Sequence, residues 1–182
     1  MLGEPGFAWY EAFDLSVGDW IQPLPGETRR VRSLAKSVDL VGEALGSLAN
    51  QTWPLQYVFV LGYGQGATVA LELARRETLG GVIALQDGLL PEDRGSGAVR
   101  SPALLLAEKP EPVLGRLCDH RKVTGELSLQ KEAVCRPVME FIARRYEELS
   151  PALQAKQGEE ILGPFEPGEV EIHERMDLSE LD

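Results

Sequence analysis

The glycines of Leu61-Gly62-Tyr63-Gly64-Gln65-Gly66-Ala67 are spaced for acyl-transfer chemistry that the middle residue cannot perform. A G-x-S-x-G run is a strand-to-helix turn so sharp that small residues must flank its exposed serine nucleophile. Gly62 and Gly66 hold the flanking positions, and position 64 carries another Gly. Acyl transfer also needs a base for the nucleophile's proton and donors for the oxyanion. The chain offers two histidines, His120 and His173, and two thiols, Cys118 and Cys135. Alternate glycines have a second possible chemistry, bare backbone N–H groups turned toward an anion. A relic kept for backbone reasons is the favoured reading, since Gly tolerates a strained turn better than Ser. Asp87, after the next strand, reads as a cap on a following turn rather than a ligand. There is no P-loop, dinucleotide fingerprint or zinc spacing, so no cofactor and no metal are expected.

The elements that would position this turn follow from periodicity. Residues 55–61 (LQYVFVL) have the composition of a buried parallel strand. Residues 67–76 are rich in helix formers. Further strands are expected at 81–86 and 102–107, with a loop at 91–100 between them and a short strand near 121–124. A helix starting at Thr28 sets Val31, Leu34, Val38, Val41, Leu45 and Leu48 on one face, opposite Arg32, Lys36, Asp39 and Glu43. Core packing is the expected role of that stripe. A last helix at 131–149 turns Ala133, Val134, Val138, Phe141, Ile142 and Tyr146 inward. Pro137 suggests a kink or a later start, and Pro151 marks the end. Residues 1–27 read as loop, with Phe7, Trp9, Tyr10, Phe13 and Trp20 covering the end of the sheet. Strands alternating with helices imply an α/β fold with a mostly parallel sheet.

Composition bounds the function classes. The 182 residues carry a net charge of −11, which argues against unassisted binding to nucleic acid or anionic membranes. No stretch of about 20 apolar residues is present, so no membrane span is expected. The start lacks the basic and apolar regions of a signal peptide. Two cysteines are too few for a disulfide framework, which suggests reduced thiols in an intracellular, most simply cytoplasmic, protein. Residues 151–182 hold nine acidic and two basic residues, a net −7, leaving −4 for the rest. The expected organisation is therefore a domain at 1–150 and an acidic extension at 151–182. The extension is either a solvating tail or a partner-binding arm, because Ile161, Phe165, Val170 and Ile172 interrupt its charge.

The order of the motifs resembles the phospholipase/carboxylesterase family, the acyl-protein thioesterase branch of the α/β-hydrolases. That family's elbow reads approximately G-F-S-Q-G-G, and residues 62–66 match it except for the Ser; Ala67 replaces the final Gly. Ala8-Trp9-Tyr10-Glu11 resembles its S-W-F/Y-D segment. Residues 79–85 (LGGVIAL) resemble its L-A-G-V-x-A-L-S strand, and Leu89-Leu90-Pro91 its W-L-P. The resemblance spans residues 8 to 146 and implies a truncated, three-layer α/β-hydrolase-like sandwich. It also implies where a triad would lie. The nucleophile falls on Gly64. The acid, in H-G-x-x-D-P-x-V-P, falls on Glu111, one methylene longer than Asp. The base, three residues after Gly125 and thirteen before Phe141, falls on Ser128. The early H-G-x-G segment that gives one oxyanion donor has no counterpart. Ser128 is no base at neutral pH, unlike an imidazole of pKa about 6.5.

The leading expectation is thus a catalytically inactive hydrolase domain used as a structural or interaction subunit. One alternative is an active esterase or thioesterase with a site rearranged around Ser128, Cys118 or His120. Another is a binding module for an acyl chain or small ligand. The family's sheet has a strand beside the elbow strand that is missing here. The edge at 55–61 should then be covered by a partner chain, a second copy, or the chain's own Glu169-Val170-Glu171-Ile172-His173 or first 20 residues.

Overall fold

A computed structural model describes residues 8–22, 24, 27–51, 53–86, 88–91, 99–108, 118–125 and 127–157. A two-stranded antiparallel hairpin, β1 (Phe13–Asp14) and β2 (Asp19–Trp20), precedes the long helix α1 (Arg29–Gln51). After a 3₁₀ turn at Leu55–Tyr57 come β3 (Phe59–Tyr63), α2 (Gln65–Arg76), β4 (Gly81–Leu85), β5 (Ala103–Ala107), β6 (Cys118–Lys122) and α3 (Glu132–Gln157). The last four strands form one wholly parallel sheet in the order β3-β4-β5-β6, with Tyr63 level with Leu85 and Leu105 level with His120. The chain divides into two compact units, Met1–Leu149 and Ser150–Asp182. Of the second, the described residues 150–157 are helical.

The sheet is covered on both faces, which explains its composition. Every residue of β4 and β5 is buried, so these strands read as continuous apolar runs rather than alternating ones. Their side chains still divide by the two-residue period of a strand. Val82, Ala84, Ala103, Leu105 and Ala107 join Leu71, Ala74, Leu34 and Val38 in the layer under α2 and α1. Ile83, Leu85, Leu104 and Leu106 join Val134, Val138 and Phe141 of α3 on the other face. Each fully buried Leu or Ile contributes about 1.5–3 kcal/mol of transfer free energy. This is the α/β fold with a parallel sheet that the alternation of elements implied, in the three layers that the resemblance implied.

Several boundaries differ from the sequence reading. The elbow strand starts at Phe59 rather than Leu55 because Leu55–Tyr57 closes a turn after Pro54. Leu55 O accepts both the Val58 and Gly80 N–H there. It then runs on through Gly62 and Tyr63, and α2 starts two residues earlier than expected, at Gln65. The last strand is Cys118–Lys122 rather than 121–124, held by its ladder with β5. Neither Pro137 nor Pro151 breaks α3. A helical proline loses one intrahelical bond, and the good helix formers after Pro151, Ala152-Leu153-Gln154-Ala155-Lys156, carry the helix past it.

Some faces differ as well. Ala133 is exposed and Tyr146 is 61% exposed, because the apolar stripe of α3 is the narrower Val134, Val138, Phe141 row. Leu48, at the far end of the α1 stripe, is also exposed. Residues 13–20 are a hairpin, not loop. Phe13 and Trp20 do not cover the sheet but pack edge-to-face on each other, with centroids 5.7 Å apart. Among the described N-terminal aromatics, Tyr10 alone is buried in the core. Phe7, Asp87, Glu111 and the whole stretch 158–182, with Glu169–His173, lie outside the described residues.

Candidate functional site

The turn between β3 and α2 is an elbow in conformation as well as in spacing. Gly64 has φ 54° and ψ −126°, a region that side-chain-bearing residues rarely enter. Its N–H donates to Leu85 O of β4 at 3.0 Å, and its carbonyl accepts the Ala67 N–H at 2.9 Å, so the turn is locked at both ends. Gly62 is required by contact, and Gly66 is closely approached. A Cβ on Gly62 would lie 2.1 Å from Gly66 O and 2.7 Å from Ala67 N. One on Gly66 would meet Trp9 Nε1 at 3.3 Å. A Cβ on Gly64 would meet nothing within 4 Å. Among the described residues position 64 thus has free space around it and carries no side chain to fill it.

The elbow also organises its surroundings. Gln65 Oε1 accepts the Trp9 N–H at 2.8 Å, and Gln65 Nε2 donates to Tyr10 O at 3.4 Å, so the segment before β1 is tied to the first residue of α2. Thr68 Oγ1 donates to Gly88 O at 2.8 Å and fixes the loop after β4 beside the same helix. Gln86, at the carboxyl end of β4, has φ 85°, the one non-glycine with positive φ among the described residues. Two unusual backbone positions thus sit at neighbouring strand ends, the place where open α/β sheets bind ligands.

The other candidates do not form a base–nucleophile pair with the elbow. Ser128 is half-buried in the turn before α3; its Oγ accepts the Gln130 N–H at 3.3 Å, and its carbonyl accepts the Lys131 N–H at 2.9 Å. Gly125, three residues earlier, has φ 87°, so the spacing that singled out Ser128 belongs to a turn that needs Gly. His120 sits in the middle of β6, two strands beyond β4, and its Nε2 is buried without a hydrogen-bond partner. Cys118, on the same strand, packs against the core under α2, and Cys135 lies in the first turn of α3; neither is in a disulfide. Among the described residues no cluster of His, Cys, Asp and Glu could hold a metal ion, and no helix is long and apolar enough to cross a membrane.

One feature at the elbow escaped motif reading. Among the described residues β3 pairs with β4 alone, leaving its other edge open. An apolar groove of about 360 Å³ runs along that edge, lined by Trp9, Val41, Val60, Gly62, Val69 and Leu73 among others. Leu61 and Tyr63 of β3 are 45% and 53% exposed beside it. The sequence reading placed an open edge here from a missing strand, but the wall contributed by α1 through Val41 has no signature in the sequence.

No protein-family model matches the chain, and no curated protein does. Solved structures do match. A phospholipase/carboxylesterase from Dyadobacter fermentans superimposes with a TM-score of 0.54 at 18% identity, over 68% of this chain and 70% of that one. A variant of SOBER1 from Arabidopsis thaliana gives a TM-score of 0.53 at 19% identity, over 75% of this chain and 80% of that one. At these identities the likeness is one of fold.

Proposed function

We propose that this chain is a non-catalytic α/β-hydrolase domain that serves as a structural or protein-interaction subunit. The observation that carries the reading is Gly64. It keeps the backbone conformation of an elbow, with free space where a side chain would project, and has no side chain to project. The residue at the base position, Ser128, supports it, since a hydroxyl that caps a turn takes no proton from a nucleophile at neutral pH. Glu111, the third triad position of the resemblance, has no imidazole to orient in this reading. The likeness in fold to a phospholipase/carboxylesterase gives the ancestry from which such a site would be lost. The thiols Cys118 and Cys135 suit a reducing intracellular compartment.

The test is direct. The purified full chain should hydrolyse neither p-nitrophenyl acyl esters nor acyl thioesters above the buffer rate, and a fluorophosphonate probe should label no residue. Saturable turnover that the probe abolishes, with a labelled Ser, would overturn the proposal. Label on Ser128 would point to the rearranged-site alternative.

A further inference from the structure

We propose that the open edge of β3 is the docking site for a single extended, uncharged strand of another protein, received between β3 and α1. This rests on the reading of the chain as an interaction subunit and names the chemistry of its partner. The backbone supplies the first argument. Gly64 donates to Leu85 O of β4, so by the alternation of a strand Val60 and Gly62 also face β4. Leu61 and Tyr63 therefore turn their N–H and C=O groups outward, away from the sheet. A lipid chain lying in the groove would leave these groups without partners, whereas a polypeptide strand would satisfy them.

The second argument comes from the walls. Val41 of α1 lines the groove together with β3. The helix itself is held against α2, where Asp39 pairs with Arg76 at 2.7 Å. So α1 roofs the slot beside β3. A lone strand needs only the spacing of about 4.8 Å between neighbouring strands. The residues before Ala8 fit poorly, since Gly3, Pro5 and Gly6 weaken a strand and Pro5 lacks a donor.

Charge gives the third argument. Among the described residues no charged side chain lines the groove, so the docked residues are uncharged. Residues 1–150, which contain the groove, carry −4 of the chain's net charge, which favours basic residues on either side of them.

The experiment uses the full chain and a synthetic probe, the peptide Lys-Lys-Val-Thr-Val-Thr-Val-Lys-Lys. Hydrogen exchange is followed at the Leu61 and Tyr63 amides, with the oligomeric state measured on the same sample. In the isolated monomer both amides should exchange freely, and saturating peptide should slow both by roughly tenfold or more, the equivalent of 1.4 kcal/mol. Replacing the central Val of the peptide by Pro should abolish the effect. Leu61→Lys, a charge at an exposed edge position, should weaken peptide binding by about tenfold or more while leaving the fold intact. Three results would overturn the proposal: amides already protected in a monomer, amides protected by dimerisation, or slowing by a fatty acid and not by the peptide. Binding that leaves both amides fast would do the same. Esterase turnover would instead sink the non-catalytic reading, so the two failures are distinguishable.

Discussion

Gly62→Ala should be far more damaging than Gly64→Ala, although position 64 is the one whose chemistry matters. A methyl on Gly62 would lie 2.1 Å from Gly66 O, 2.4 Å from Gly66 C and 2.7 Å from Ala67 N. All three are backbone atoms of the first turn of α2, so no rotamer change relieves the contact. Ordinary van der Waals separation begins at 3.4 Å, so the helix start must move away from β3 by about 1 Å. Gly64 N–H to Leu85 O and the Gln65 bonds to Trp9 and Tyr10 resist that movement. Overpacking of this kind costs about 3 kcal/mol or more. For a chain of this size that corresponds to a fall in Tm of roughly 6–12 °C. Gly64→Ala meets no atom and carries only the strain of its positive φ, about 1–3 kcal/mol. Thermal unfolding followed by far-ultraviolet circular dichroism ranks the two. If Gly62→Ala melts within a degree or two of the parent, or above Gly64→Ala, the tight approach of β3 to α2 is wrong.

The remaining expectations probe other parts of the molecule. Gly64→Ser should fold with a modest loss of stability, about 1–3 kcal/mol, and should gain no esterase activity or fluorophosphonate label, since no base accompanies it. Gly42→Ala, in the interior of α1 with nothing within 4 Å of the added methyl, should raise stability by about 0.5–1 kcal/mol in urea titration. Leu105→Ala, at a fully buried position of β5, should cost about 2–5 kcal/mol by the same assay. Hydrogen bonds from the Arg29 side chain and backbone hold the Glu27 carboxyl down at about 2. A depressed carboxylate stabilises the fold above its ordinary pKa of about 4.3 and loses that contribution as pH falls toward 2. Carboxyl carbon titration by NMR should find the Glu27 midpoint near 2 in the parent and closer to its ordinary value in Arg29→Ala.

What the sequence made legible was whatever local spacing encodes. The glycine run located the elbow because Gly62 answers to contacts with Gly66 and Ala67, within five residues of chain. The apolar runs 81–85 and 103–107 announced buried strands because both faces of the sheet are covered. The α1 stripe from Val31 to Leu45 likewise announced a core-packing face. What failed was reading conformation from residue type alone. Leu55–Tyr57 has strand composition but turns, because Leu55 O is taken by Val58 and Gly80. Phe13 and Trp20 look like core aromatics but face each other across a hairpin. Pro151 looks like a terminator, yet α3 continues through it.

The survival of the elbow without its nucleophile has a structural explanation that does not invoke catalysis. Gly62 is constrained by the closeness of β3 and α2, Gly66 lies against the Trp9 side chain, and Gln65 ties the segment at Trp9 and Tyr10 to the same corner. The strand-to-helix connection therefore has its own need for Gly62, whatever stands at position 64. Among the described residues position 64 meets no such contact, and Gly is the residue that suits its φ of 54° with least strain. The flanking glycines of the motif therefore report the corner of the fold, and the middle residue reports the chemistry. The other distinctive feature of the corner, the open edge and roofed groove beside Leu61 and Tyr63, belongs to the same connection. The proposed role, holding another chain at that edge, needs the backbone of β3 and no side chain at position 64.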